Sequence, residues 1–394
     1  MRGGLRSIFG LTALLVGVDF LDELSSGVPF VASPDVQRAF GVSYGQAAGW
    51  LLTAVGALAV VLEPPLLLVS ERFPRRWFVC GGLGALGAIC LLAAAAPSYG
   101  WLVVALLLFG PASGVGVGLS QATLMDAHPE RREQMMVRWT LAGALGDLAA
   151  PGFLALCAFL GGGFRLGFAV VGATLALYAA LLWTRPFPAR PGAPEDGSPA
   201  PGLRARLRSA AGRRSFLAWG GAVLLCGLMD EILVAFGALF LRDRVGADVG
   251  ERAAILTALM VGAGLGLPVA DRLLRRAPPR RLLAASALLA GLFFAAWLRA
   301  RTPLASGALL FATGFFASMH YPLAKAQAYR ALPESSATVN ALLTAGGALM
   351  LPVPLLLGLV ADGPGLAFAL GLLLLQPLGL LAAALLAPAP GAGR

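Results

Sequence analysis

Long apolar stretches with very few charges constrain this chain more than any other feature. Charged residues make up 13% of its 394 residues and hydrophobic residues 58%, whereas soluble globular proteins carry about 25% charged residues. So little charge cannot keep a chain of this length in water. Each membrane-spanning helix needs about 20 apolar residues. We therefore exclude a soluble enzyme, a disordered chain, a coiled coil and a disulfide scaffold, and we predict an all-α membrane protein.

Proline, glycine and charged residues divide the chain into twelve candidate transmembrane helices. The one long polar stretch, 185–214, is rich in proline and glycine and then becomes basic, which predicts a flexible tether followed by a short amphipathic helix on the inner leaflet. The predicted domains are an N-terminal six-helix bundle (1–184), a cytoplasmic linker (185–214) and a C-terminal six-helix bundle (215–394). The twelve candidates run over 8–32, 45–70, 77–96, 101–125, 137–160, 166–184, 215–240, 253–273, 281–298, 303–327, 337–360 and 366–387.

The basic residues predict the orientation of these spans. With both termini in the cytoplasm, 23 of the 30 lysines and arginines fall on the inner side and 7 on the outer side, as the positive-inside rule requires. The formal net charge of +10 is therefore interpreted as a topology signal beside a lipid bilayer, with no nucleic-acid partner. The expected location is the cytoplasmic membrane of a bacterium.

The two predicted bundles repeat one another. Leu21-Asp22-Glu23 matches Met229-Asp230-Glu231 at an offset of 208, and Glu71-Arg72 matches Asp271-Arg272 at an offset of 200. Pro129-Glu130 matches Pro333-Glu334 at an offset of 204. Three landmarks in the same order at nearly constant spacing indicate a duplication, which is typical of transporters built from two related halves.

The loops after the second and eighth spans carry a family resemblance. Segment 70–76 (Ser-Glu-Arg-Phe-Pro-Arg-Arg) and its copy 270–276 (Ala-Asp-Arg-Leu-Leu-Arg-Arg) resemble the loop between helices 2 and 3 of the major facilitator superfamily. The resemblance implies two pseudo-symmetric six-helix bundles and secondary transport by alternating access, with helices 1, 4, 7 and 10 lining a central cavity. It also implies a conformational latch, formed by Glu71, Arg72, Arg75, Arg76, Asp271, Arg272, Arg275 and Arg276.

Residues of the fifth predicted span make the family resemblance more specific. Gly143-Ala144-Leu145-Gly146, followed by Pro151-Gly152, resembles the glycine- and proline-containing fifth helix of the family's proton-linked exporters. Segment 163–165 resembles the family's short turn into helix 6. These similarities imply a proton-coupled antiporter that exports its substrate.

Acidic residues inside the predicted spans are the strongest candidates for binding. An ionised carboxylate within the bilayer is costly and marks a functional site unless it is satisfied structurally. Crowded carboxylates also favour the binding of a proton or a cation. We hypothesise that Asp22, Glu23, Asp230 and Glu231 form a shared site where protons and cationic substrate compete. The other candidate acids are Asp19, which should share a helix face with Asp22 and Glu23, Glu63 in the second span and Asp147 in the fifth.

Three further ionisable residues have alternative interpretations. Lys325, the only lysine, is either an interfacial residue or a partner for a cavity acid or an anionic substrate group. His320 either titrates in the site or is packed structurally. His128 belongs to an inner loop and is expected to be solvated.

The function classes can also be narrowed by missing motifs. The sequence has two widely separated histidines and no HExxH, GxSxG or GxxxxGK[ST] motif, so we expect neither an enzyme nor an ATP-driven pump. Its four cysteines lie in apolar runs without metal-ligand spacing, and no metal site or cofactor is expected. The prediction is a monomeric H⁺-coupled exporter of cationic or amphipathic small molecules. The alternatives are a proton- or sodium-coupled importer, a transporter of lipid-like or metal substrates, and a membrane receptor.

Overall fold

The protein is helical throughout the part of the chain that its computed structural model describes. This part comprises residues 2–42, 54, 56, 58–188, 208, 210, 212–333 and 336–388. Helix accounts for 86% of the structure and no strand occurs among these residues, so the predicted all-α class is confirmed. The first part of the second predicted span and most of the predicted linker lie outside the described residues.

The α-helices are numbered in chain order. They are α1 (Arg2–Val31), α2 (Ser33–Phe40), α3 (Ala59–Ser70), α4 (Arg75–Ala94), α5 (Tyr99–Ala127), α6 (Arg132–Phe159), α7 (Gly163–Trp183), α8 (Arg214–Leu225), α9 (Glu231–Phe240), α10 (Val249–Leu273), α11 (Pro279–Trp297), α12 (Pro303–Ala317), α13 (His320–Ala331), α14 (Ser336–Gly347), α15 (Val353–Asp362), α16 (Leu366–Gly371) and α17 (Leu375–Leu386).

Eight helical stretches in the described residues are long and apolar enough to cross a membrane, by length and composition. They lie in both halves of the chain, and each overlaps one of the predicted spans. A helix satisfies its own backbone hydrogen bonds, and this makes it one of the two structures that can cross a bilayer. Eight such stretches are consistent with the predicted twelve-helix fold.

The chain forms two compact units. The first contains Met1–Pro129, Ala142–Pro201 and Glu334–Ala345, and the second contains Glu130–Leu141, Gly202–Pro333 and Gly346–Arg394. The first turns of α6 therefore belong to the second unit, and most of α14 belongs to the first. The predicted bundle boundaries do not include this exchange of segments, and they stay a prediction.

Small residues bring the helices of each unit close together. In the first unit α4 packs on α5 and α7, and a Cβ atom added at Gly116 of α5 would lie 2.7 Å from the backbone nitrogen of Leu83. In the second unit α10 packs on α12, where Gly314 faces the backbone of Leu259. Close backbone approach through small residues is the usual packing mode of membrane helices.

Three predicted spans are interrupted in the structure. Span 215–240 breaks between α8 and α9, span 303–327 between α12 and α13, and span 337–360 between α14 and α15. Pro352 and Pro354 predict the third interruption from the sequence alone, whereas the residue pattern predicts no break in the first two spans. Glycine and proline explain two of the breaks, since Gly227 lowers the helix propensity of the first and Pro352 and Pro354 remove backbone donors at the third.

Candidate functional site

Two of the three acids of α1 lie against α6. Asp19 is 8% exposed, and a Cβ atom added at Gly143 would lie 2.5 Å from its Oδ2 atom and 3.2 Å from Cγ of Glu23. A Cβ atom at Gly146 would lie 3.1 Å from Cβ of Glu23. Asp19 and Glu23 are four residues apart and so share one helix face. The glycines of the exporter-like segment are therefore the residues that let α6 approach these acids.

The third acid of α1, Asp22, is directed towards α5. Its Oδ1 atom accepts a hydrogen bond of 2.7 Å from the Ser113 hydroxyl, and the residue is half-buried. Among the described residues, the charges that act on its carboxylate are those of Glu63 and Asp147. Both neighbours are acids, so the negative charge of Asp22 meets further negative charge. The contacts thus divide the three acids of α1 between two helices.

Glu63 meets the same part of α5. Its Oε1 atom accepts a hydrogen bond of 2.8 Å from the Thr344 hydroxyl of α14, and its carboxyl group lies against Gly114. Asp22 and Glu63 therefore contact consecutive residues of α5. Pro64 and Pro65 follow Glu63 inside α3. Asp147 is exposed on α6, yet its charge reaches Asp22. The first unit thus brings acids of α1 and α3 to one turn of α5, and the charge of an acid on α6 acts on the same group.

Asp230 of the second unit stands at a break in its helix. A 3-10 turn, Cys226–Met229, follows α8, and Asp230 itself has φ −123° and ψ −123° before α9 begins. Its residue position lines a cavity of about 280 Å³. The other lining residues are glycine or apolar: Gly227, Ile232, Gly347, Met350, Leu351 and Pro354. The side chain of Glu231 lies outside the part of the structure described here. Asp230 therefore adds a carboxylate to an otherwise apolar cavity.

The break before Asp230 is held by a side chain that the sequence analysis did not select. The Met229 backbone N–H donates to Oε1 of Gln376 at 2.7 Å, and Nε2 of Gln376 lies 3.0 Å from Nδ1 of His320. Both side chains are buried. His320 is thus packed in the interior and hydrogen-bonded to the Gln376 amide. Gln376 is the single polar residue in the apolar stretch 366–387, and this isolation was the signal that could have identified it.

The two remaining ionisable candidates have local partners. Nζ of Lys325 donates a hydrogen bond of 2.6 Å to the Tyr321 hydroxyl and lies 5.0 Å from the centre of that ring. Both residues belong to α13, one turn apart. His128 is half-buried, and its Nε2 atom lies 2.7 Å from the hydroxyl of Thr12. The prediction that His128 is solvated is wrong, because α1 covers this side of the loop.

The predicted latch residues of the first half contact the start of α14. Oε1 of Glu71 accepts hydrogen bonds of 2.9 Å from both the backbone N–H and the hydroxyl of Thr338. Oδ2 of Asp126 accepts hydrogen bonds of 2.6 Å from Arg75 and from Ser336. A carboxylate at a helix N-terminus satisfies free backbone donors and favours the helix dipole. These contacts all lie within the first unit.

The second copy of the latch contacts the start of α6. Oδ1 of Asp271 accepts a hydrogen bond of 2.9 Å from Nε of Arg138, and Oδ2 accepts one of 3.2 Å from Arg275. Arg76 of the first copy lies over the Trp183 ring, 5.8 Å from its centre. Arg72, Arg272 and Arg276 are exposed. In both copies the acid at the end of one helix therefore contacts the first turns of another, and the latch function stays a prediction.

Glu133 is a buried acid that the sequence analysis did not single out. Its Oε1 and Oε2 atoms accept hydrogen bonds from Nε and Nη2 of Arg330, the second at 2.8 Å. Gln327 donates a third, also of 2.8 Å, to Oε1. The hydrogen bonds with Glu133 raise the pKa of the Arg330 guanidinium above its usual value. A single-sequence pattern cannot reveal this cluster, since it joins residues almost 200 positions apart.

Comparison with known proteins gives a consistent result. The family profile of the Major Facilitator Superfamily matches residues 15–354. Two crystal structures of FucP align with the chain with a TM-score of 0.79 each. The first is described as the E. coli fucose:proton symporter, and the second as a Major Facilitator Superfamily transporter in the outward conformation. Their sequence identities are 19% and 18%, over 97% of this chain and 100% of the FucP chain. A search of curated protein sequences finds no match.

Proposed function

Because the chain belongs to the Major Facilitator Superfamily, a family of membrane transporters, we propose that it is a proton-coupled exporter of cationic or amphipathic small molecules. It is an integral membrane protein that carries a small-molecule substrate. We propose that it is a monomer in a bacterial cytoplasmic membrane. The distribution of its basic residues supports an orientation with both termini inside.

The observation that carries the proposal is the composition of the acid group around Asp22. Its charged neighbours among the described residues are Glu63 and Asp147, and its hydrogen bond comes from a neutral hydroxyl. Carboxylates that face one another in a low-dielectric site are stabilised by a positive ligand. A proton and an organic cation both meet this need, so each displaces the other. Such competition, combined with alternating access, exchanges one for the other across the membrane.

The cavity beside Asp230 supports the substrate class. Its lining combines one carboxylate with glycine, aliphatic and methionine side chains. A cation with an apolar body satisfies both parts of such a surface, because its charge meets Asp230 while its hydrocarbon surface leaves water. Sugars and other polar neutral molecules need several hydrogen-bonding side chains, and the described lining residues provide only that of Asp230.

Export is the part of the proposal that rests on α6. The glycines at 143 and 146, which resemble the fifth helix of proton-linked exporters, contact the acid-bearing face of α1. The second candidate function is proton-coupled import. It is favoured by the fold that the chain shares with FucP, which is described as a fucose:proton symporter. Both functions use the same acids and differ in the direction in which protons move with the substrate.

The test uses purified protein in proteoliposomes that contain a pH-sensitive dye. Ethidium and a panel of quaternary ammonium compounds are added outside without a starting pH gradient. An antiporter releases protons as the cation enters, so the lumen becomes alkaline, whereas a symporter makes it acidic. This sign does not depend on the orientation of the protein in the vesicle. Acidification, or no proton movement with any cation, would overturn the proposal.

The variant Asp22→Asn tests whether the acid group around Asp22 couples proton movement to cation transport. The asparagine Oδ1 atom can still accept the Ser113 hydrogen bond, so the packing is kept and only the charge is lost. We expect cation-driven proton movement to fall by at least about tenfold, because one shared carboxylate contributes well over 1.4 kcal/mol to coupling. Asp35→Asn makes the same chemical change at an exposed ion pair with Arg38 and serves as the control. Equal proton movement in both variants would exclude Asp22 from coupling.

A further inference from the structure

A continuous chain of hydrogen bonds joins the helix break of the second unit to two buried side chains. It runs from the Met229 backbone N–H to Oε1 of Gln376, at 2.7 Å, and from Nε2 of Gln376 to Nδ1 of His320, at 3.0 Å. Gln376 is 2% exposed and His320 is fully buried. They lie on α17 and α13, so this series of hydrogen bonds connects three separate parts of the second unit.

The donors and acceptors in this chain can be assigned unambiguously. A backbone N–H only donates, so the amide atom that faces Met229 must be the oxygen of Gln376. The NH₂ group of the amide therefore faces His320, and Nδ1 of the ring must be the acceptor. A neutral imidazole that accepts at Nδ1 carries its proton on Nε2. The His320 ring lies near the backbone of Ser286 in α11, and the described residues provide no hydrogen-bond partner for Nε2. The Met229 N–H thus fixes the orientation of the Gln376 amide, and the amide in turn fixes the tautomer of His320.

We propose that Gln376 is a positioning residue for the carboxylate of Asp230. The helix before Asp230 ends in a 3-10 turn, whose backbone hydrogen bonds have poorer geometry than those of an α-helix, and a buried donor with a poor partner is costly. The Gln376 oxygen satisfies the last N–H before Asp230, so it stabilises the turn from which this carboxylate enters the cavity. His320 completes the arrangement by keeping the amide from rotating. The cation-binding part of this inference rests on the proposed function, and the structural part does not.

The contacts around Asp230 are consistent with a dependence of its position on Gln376. The 3-10 turn Cys226–Met229 contacts α17, and the backbone at Asp230 leaves the helical region completely. Asp230 and Gly227, on either side of the anchored N–H, both line the cavity. A shift of the turn by one hydrogen bond would therefore move two residues of the cavity wall at once.

The first measurement needs no substrate. Backbone hydrogen exchange of segment 226–232 is compared in detergent-solubilised wild type, Gln376→Leu, Gln376→Glu and Leu378→Ala. Leucine removes both hydrogen bonds at similar volume, whereas glutamate keeps an oxygen for the Met229 N–H. Leu378 lies on the same helix, is 61% exposed and serves as the control. We expect about tenfold lower protection in Gln376→Leu, as the loss of one buried hydrogen bond predicts. Gln376→Glu and Leu378→Ala should stay within about threefold of wild type.

The second measurement is equilibrium binding of ethidium to the same four proteins. We expect its affinity to fall about tenfold in Gln376→Leu and to recover in Gln376→Glu, although neither change touches the cavity lining. A destabilised fold would not be rescued selectively by glutamate. Unchanged exchange in Gln376→Leu, or equal exchange in the leucine and glutamate variants, would overturn the proposal. If wild type fails to bind ethidium or any cation of the panel, the proposed function fails, while the exchange data still decide the role of Gln376.

Discussion

Replacing Glu133 by glutamine should destabilise the second unit, although the two side chains have nearly the same shape. The carboxylate accepts three hydrogen bonds, two from Arg330 and one from Gln327. All three partners are donors. A glutamine at position 133 offers one oxygen and one NH₂ group, so at least one donor would then face another donor. The substitution also removes the counter-ion that Arg330 contacts directly, and the charge of Glu130 remains as its acidic neighbour.

The size of the effect follows from burial. Removing one partner of a buried ion pair costs about 3–5 kcal/mol. The Glu133 side chain is 5% exposed but that of Arg330 is 32% exposed, so water can reach part of the stranded guanidinium. We therefore expect a loss of about 2–3 kcal/mol in the free energy of unfolding. Thermal unfolding in detergent, followed by tryptophan fluorescence, should show a melting temperature lower by roughly 5 °C.

A double variant separates the stranded charge from the loss of packing. Glu133→Leu combined with Arg330→Leu removes both charges and fills the space with apolar side chains, which is often neutral for stability. We expect the double variant to melt above either single leucine variant. The reasoning is refuted if Glu133→Gln melts within about 1 °C of wild type, or if the double variant is less stable than both single variants.

Two further predictions concern helix contacts. Gly143→Val should lower the melting temperature and abolish cation-driven proton movement, since its Cβ atom alone would lie 2.5 Å from Oδ2 of Asp19. Gly152→Ala on the same helix has open space around its Cβ position and should behave as wild type, so equal effects at the two glycines would contradict the close contact. Glu71→Leu should cost about 1–2 kcal/mol in thermal unfolding, because the Thr338 N–H loses its acceptor. Glu71→Gln keeps an acceptor oxygen and should lose less than half as much; a larger loss would show that charge, not capping, dominates.

The fold was largely predictable from the sequence, because hydropathy and the duplicated landmarks depend on local pattern. The helix breaks were harder to predict. Segment 215–240 has the composition of an unbroken helix, and its interruption at Asp230 carries a hydrogen bond to Gln376, almost 150 residues away. Single-sequence periodicity carries no information about such a partner.

The sequence predicts which types of residue form the site, but it does not predict which of these residues lie together in the structure. The intramembrane acids were recognised from the cost of burying charge, yet their division between α5 and α6 depends on helix rotation. Glu133 illustrates the same limit. It lies in the polar loop between two spans, where an acid is ordinary, and only the tertiary structure shows that it is buried against Arg330.

The acidic surroundings of Asp22 have a consequence for leakage. A carrier that changes its direction of access without cargo dissipates the gradient that drives it. In the proposed exchange, an unloaded crossing would leave the carboxylates of Asp22, Glu63 and Asp147 without the proton or cation that the exchange supplies, which raises their mutual repulsion. The proposed function therefore implies that electrostatic repulsion within the first unit itself opposes slippage.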